Sequence, residues 1–281
     1  MLFLDPKSDI AFKKLFGSVV NKNILMSFLN GVLERVDGEK IVDVIFNDPT
    51  NIAETPLSKA SIVDVRCTDQ NDNQYIIEMQ VVKQQDYALR AQYYSALALS
   101  RQLGVSEQYN KLVPVIFVGI LDFTLFTDNE DYLSQHLILS KKTHAHILKH
   151  IQFHFIELDK FKKNLHELDT MLDKWLYVLK HAVTMHKKPA SFKEPVLNEA
   201  LDVLAQSNWS RKELEAYDRY LDAIRSRANQ IDTARADGIE EGCFKKAVEV
   251  AIKLLHADVD IATITEATGL DLATIKKLKK K

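Results

Sequence analysis

The run from Val113 to Leu121, VPVIFVGIL, carries no polar side chain. A strand with one wet face alternates apolar and polar residues, so an unbroken apolar run needs cover on both faces. Helices packed on either side of a sheet provide that cover. The run is also too short to span a bilayer, which takes roughly 20 apolar residues. The chain must therefore supply helices for two faces and further strands for the sides. Ile10, Phe12, Leu15 and Phe16 share a helical face behind Asp9, which reads as the N-cap. Ile24, Leu25, Phe28, Leu29 and Leu33 stripe a second helix, from about Asn23 to Val36. The segments Ser61–Cys67 (SIVDVRC) and Gln74–Val82 (QYIIEMQVV) flank the turn-forming string TDQNDN and predict a hairpin. Asp86 to Leu103 lacks Pro and Gly and predicts a long helix closing on Gly104 as its C′ residue, and Ile151–Leu158 predicts another strand. This order predicts an α/β fold, a mixed central sheet flanked by helices.

Beyond Phe161 the chain turns helical. Leu165–Met185 and Val196–Leu204 are amphipathic, Arg211–Arg235 is densely charged, and Lys245–Leu255 predicts a further helix. Two short helices then flank Gly269, the second capped by Asp271 and ending in LATIKKLKKK. That pattern fits a helix-turn-helix with a basic second helix, and equally a packing or oligomerisation hairpin. The expected division is a main domain over 1–185, a charged helical linker over 186–240 and the helix-turn-helix-like module over 241–281. With 281 residues, 46% of them hydrophobic, the main domain can bury a sizeable core. A net charge of -2 provides no global positive field, so polyanion binding must come from local patches. Cys67 and Cys243 suit neither a disulfide framework nor a zinc site. The opening MLFLDPKSD lacks a basic region followed by an apolar stretch. A soluble chain in a reducing cytoplasm, with no membrane partner, is expected.

Residues two apart in a strand point the same way, which puts Asp64 with Arg66 and Glu78 with Gln80. Val63 and Val65, and likewise Ile77, Met79 and Val81, are assigned to the opposite faces. Acids inside apolar β-branched strands are costly unless paired, protonated or bound to a cation. Two carboxylates converging across a hairpin suit a hard cation such as Mg²⁺, with Mn²⁺ or Ca²⁺ as alternatives. Such a site supports phosphodiester hydrolysis. A solvated hairpin face explains the same alternation, and strand pattern alone leaves both readings open. The histidines His144, His146, His150 and His154 have neither the spacing nor the motif of a metal site.

The string DVRCTDQNDNQYIIEMQ resembles the core of the PD-(D/E)XK phosphodiesterases. More narrowly, PKSDIAFKKLFG, SIVDVRC, YIIEMQ, RAQYYSALALSRQL and FHFIELDKF resemble the Rpn recombination-promoting nucleases, a transposase-type family, over roughly the first 160 residues. The resemblance implies a restriction-endonuclease-like fold and a metal-dependent DNA endonuclease linked to recombination, mobile elements or phage defence. It implies metal ligation by Asp64 and Glu78, with Gln80 where the superfamily has lysine. Asp9 matches the acid of the opening motif, and Arg90 and Tyr94 match an R-x-x-x-Y pattern that could touch the scissile phosphate. With Gln80 neutral, transition-state charge falls to the metal, Arg66, Lys83 or Arg90. The competing expectation is a decayed nuclease fold acting as a DNA- or protein-binding module, with the C-terminal helices pairing to a second copy. A transcription regulator using only the tail is weaker, because it leaves the acids of the first half without a task.

Overall fold

A computed structural model describes residues 2–48, 50–51 and 61–279. It divides into two units, Met1–Tyr220 and Leu221–Lys281. The boundary falls inside the expected linker, and α5 (Pro195–Leu204), from the same stretch, packs against α1 (Asp9–Phe16) and α2 (Lys22–Val32) of the first unit.

The first unit is built on a six-stranded sheet of β1 (Val44–Phe46), β4 (Val65–Asp69), β5 (Gln74–Gln80), β6 (Val115–Leu121), β8 (Leu148–Glu157) and β7 (Leu133–Ile138), in that spatial order. Two short strands, β2 (Thr50–Asn51) and β3 (Ser61–Ile62), pair separately. β5, β6 and β8 run parallel, and the other pairings in the large sheet are antiparallel. The apolar run is therefore the central strand, and every residue of β6 is buried. Ile76, Phe117, Leu121 and Phe155 pack on one face against Tyr87, Ala91 and Ala98 of α3 (Tyr87–Ser100). Part of the remaining core is aromatic. Phe16, Phe28 and Trp175 of α1, α2 and α4 (Met171–His181) lie with ring centroids 4.9 to 6.2 Å apart, and all three are fully buried. The chain thus folds into the mixed α/β sheet that its sequence predicts.

Several local readings change. Ser8 caps α1, its Oγ accepting the Ala11 N–H at 3.3 Å, and Asp9 is the first helical residue. Both residues are short and polar, but only Ser8 has the extended backbone that a cap needs. The arm Ser61–Cys67 is interrupted at Val63 and Asp64, between β3 and β4. The bend breaks the alternation, so Val63 packs in the α3 cluster while Val65 lies against Gly17, behind α1. The long helix α3 stops at Ser100, and the Gly104 N–H is bound by Glu107 rather than closing a helix. Leu165–Met185 contains a single-turn helix and then α4, because Thr170 and Asp173 form a capping box that starts a new helix. Arg211–Arg235 and Lys245–Leu255 are one 46-residue helix, α6 (Arg211–His256), since Gly238 and Gly242 cost it helix propensity without breaking it.

In the second unit, α7 (Ile261–Thr268) ends on Gly269 at φ +68°, a left-handed conformation that glycine adopts without a Cβ penalty. Asp260 and Asp271 cap α7 and α8 (Leu272–Lys279). Ala251, Ile264, Leu270 and Ile275 form a small core among the three helices. The final Lys280 and Lys281 of the basic stretch lie outside the described residues. No helix among the described residues is long and apolar enough to cross a membrane.

Candidate active site

The hairpin register pairs Val65 with Ile77, so Asp64, in the bend just before β4, falls one step further along, opposite Glu78 of β5. The Asp64 carboxylate accepts the Met79 N–H at 2.7 Å, which ties the bend before β4 to β5. Glu78 is 5% exposed, on the face of β5 that meets α3. Burial pushes Asp64 up to about 6, against the Met79 N–H, with the Asp9 carboxylate raising it and Lys13 lowering it. Burial and then the charge of Asp64 push Glu78 up to about 7, against Arg90 and the Tyr87 hydroxyl. Glu78 is buried and Asp64 half-buried beside it; negative charge on Asp64 disfavours ionisation of Glu78, and a bound cation relieves that electrostatic situation.

Asp9 approaches this pair from the start of α1. It is half-exposed, its carboxylate is 2.7 Å from Lys13 Nζ one turn on, and it interacts with Asp64. Its backbone N–H, an orphan donor of the first helical turn, meets the Tyr220 hydroxyl of α6. Nearby, the Tyr217 hydroxyl accepts the Asp5 N–H at 3.0 Å. The beginning of α6 thus anchors the segment that carries Asp9.

Arg90 also reaches the site. Its guanidinium lies 5.7 Å from the Tyr87 ring centroid and 5.6 Å from that of Tyr94, bonds to Gln84, and acts electrostatically on Glu78. Tyr94 packs partly against the core and supports Arg90 rather than reaching the acids. Gln80 shares the face of Glu78, with Nε2 donating to the Val82 carbonyl at 3.1 Å. Arg66 is engaged with Gln74 at 3.2 Å and lies towards Arg101 at the other end of α3. Lys83 is bonded to the Thr124 carbonyl at 2.9 Å. Asp9, Asp64, Glu78 and Arg90 thus converge, Gln80 borders them, and Arg66 and Lys83 are turned to other partners.

Sequence reading missed Lys13, Tyr87 and Tyr220. The first two carry a signal, since Lys13 lies four residues after Asp9 and Tyr87 three before Arg90, one helical turn in each case. Tyr220 carries none, because its partner is more than 200 positions away. The motif FHFIELDKF proves structural. Glu157 is fully buried and accepts the Leu125 and Phe126 N–H groups at 2.5 and 3.0 Å, while Lys160 Nζ joins Glu157 at 2.6 Å to the Phe126 and Asn129 carbonyls. Together they pin the loop that follows β6. Among the clustered histidines, His154 is buried in β8 with neither ring nitrogen hydrogen-bonded. An open pocket of about 760 Å³, lined by residues including Arg35, Tyr132 and Gln135, contains none of the candidate residues.

Among the described residues, no group of three or more His, Cys, Asp or Glu side chains is placed to hold a metal ion. Asp64 and Glu78 do fit the modest protein share that Mg²⁺ requires, one or two carboxylates with water and substrate oxygens completing the shell. A mixed sheet flanked by helices, with an acid pair where a hairpin meets a parallel strand, defines a restriction-endonuclease-like α/β protein. The chain belongs to the PD-(D/E)XK nuclease family transposases, whose model matches residues 6–234. No curated protein and no solved structure matches it. The match extends past the sheet into α6, and so includes the Tyr217 and Tyr220 contacts within the first unit.

Proposed function

We propose that the chain is a divalent-metal-dependent DNA endonuclease, with Mg²⁺ as the working ion and Mn²⁺ or Ca²⁺ as substitutes. The observation that carries this reading is the juxtaposition of buried Glu78 with half-buried Asp64 in a chain of nuclease family, both raised by desolvation and Glu78 further by the charge of Asp64. Asp64 and Glu78 would hold the ion. When bound, it supplies Lewis acidity at the scissile phosphate and lowers the pKa of a coordinated water.

The remaining work falls to the side chains. Arg90 is a planar cation with several donors, held by two tyrosine rings beside Glu78, and suits a phosphate oxygen. Gln80 can donate from its amide to a water or a phosphate oxygen but brings no charge. Asp9 and Lys13 form an acid and base pair next to Asp64, able to orient water while keeping local charge balanced. Arg66 and Lys83 would contribute to the phosphate backbone only after leaving their present partners. The C-terminal unit, with basic residues in the last turn of α8, is read as a second DNA contact, with pairing to another copy as its alternative use. Action on DNA in the cytoplasm, in recombination, mobile-element or phage-defence settings, completes the reading.

The direct test is nicking of supercoiled plasmid by the full chain. Cleavage should need added Mg²⁺ or Mn²⁺ and vanish in EDTA; undiminished cleavage in EDTA would rule the reading out. Gln80→Lys places an ammonium where the superfamily has one, on a half-buried strand end that tolerates a long side chain. Its nicking rate should equal or exceed that of the wild type. A complete loss would show that the Gln80 amide has a task of its own.

A further inference from the structure

Tyr87 opens α3 beneath the site, and its side chain is fully buried. The ring is fixed on three sides. Phe117 and Phe155 lie edge-on at centroid distances of 6.3 and 6.2 Å, and Arg90 covers it at 5.7 Å. The hydroxyl, by contrast, has no hydrogen-bond partner of good geometry. A buried donor without an acceptor is destabilising, and a phenylalanine here would fill the same space without that penalty. The cost calls for a task.

The location of the hydroxyl supplies one. Gly119 sits directly opposite Glu78 in the β5 and β6 register, and a Cβ built on it would lie 2.9 Å from Tyr87 Oη and 2.9 Å from a Phe155 ring carbon. The missing side chain is a notch in the central strand, and Tyr87 Oη occupies it. From there the hydroxyl acts on Glu78, close enough to favour the ionised carboxylate though not aligned as a full bond.

We propose that Tyr87 is a positioning residue, its O–H held in the Gly119 notch to donate to Glu78 and fix that carboxylate when the site takes up its divalent ion. This inference rests on the metal-dependent reading and deepens it. A neighbour that orients a ligating carboxylate typically changes metal affinity by about 10–100-fold when removed. The phenol suits this role because it is rigid, neutral and a donor, whereas a lysine in the same notch would compete with the cation for Glu78.

The test is Tyr87→Phe in the full chain, read by calorimetric titration with Mn²⁺ in the absence of DNA, by plasmid nicking and by thermal melting. Mn²⁺ affinity should fall roughly tenfold and nicking should fall with it, while the melting temperature stays level or rises. A hydroxyl with only a structural task gives the opposite pattern, a lower melting temperature with unchanged Mn²⁺ affinity, and that result overturns the proposal. Unchanged affinity and nicking at any melting temperature also overturn it. Wild type and Asp64→Asn run alongside. A wild type that neither binds Mn²⁺ nor cleaves brings down the nuclease reading and Tyr87 with it. An active wild type, an inactive Asp64→Asn and an unaltered Tyr87→Phe bring down Tyr87 alone.

Discussion

Asp64→Asn and Glu78→Gln should each lower metal-dependent plasmid nicking by roughly 10³-fold or more, while the protein still folds. A metal acting on transition-state charge contributes several kcal/mol, and each 1.36 kcal/mol is a factor of ten in rate. Both substitutions keep side-chain size and remove a charge that the fold holds at a cost, so the loss cannot be assigned to unfolding. The hydrogen bond from the Met79 N–H survives Asp64→Asn, because the amide oxygen still accepts it. Nicking rates for the two variants, with circular dichroism as the control for folding, make the measurement. Wild-type cleavage by either variant would remove that acid from the site.

The second large effect is on stability. Asp64 moves from an ordinary 3.8 to about 6 on folding, and Glu78 from 4.5 to about 7. A carboxyl whose folded pKa lies above its unfolded one binds its proton more tightly when folded. Its contribution is full below about pH 4 and is lost as pH rises through about 6 for Asp64 and about 7 for Glu78. At about 1.36 kcal/mol per pH unit between ordinary and folded values, either group alone carries on the order of 3 kcal/mol. The metal-free protein should therefore lose melting temperature between about pH 4 and pH 7, and level off above that. The double variant Asp64→Asn with Glu78→Gln should remove most of that slope, and Mg²⁺ should restore stability to the wild type at pH 8 by binding only the folded state. Melting curves at several pH values, with and without Mg²⁺, decide it. A slope that the double variant leaves intact would place the pH-sensitive groups elsewhere.

Both effects depend on a face of the sheet that the sequence only half reveals. Alternation in QYIIEMQ correctly pairs Glu78 with Gln80, because a regular strand has a period of two whatever surrounds it. The same rule fails at Val63, where the bend at Asp64 interrupts the strand and sends Val63 to the α3 cluster. It cannot decide whether a polar face meets water or a helix, since both give the same pattern. Here α3 covers the face, which is why Glu78 is buried and raised rather than solvated.

By itself, the sequence determined the central buried strand, the hairpin, the long helix that follows it and the nuclease resemblance, since each is written in neighbouring residues whose spacing sets local structure. The tertiary structure decided which charges meet. It brought Asp9 and Lys13 to Asp64, set Arg90 against Glu78 while turning Arg66 and Lys83 elsewhere, and placed Tyr87 in the notch at Gly119. Those meetings join side chains of different elements, and their energies depend on burial, which no local pattern records.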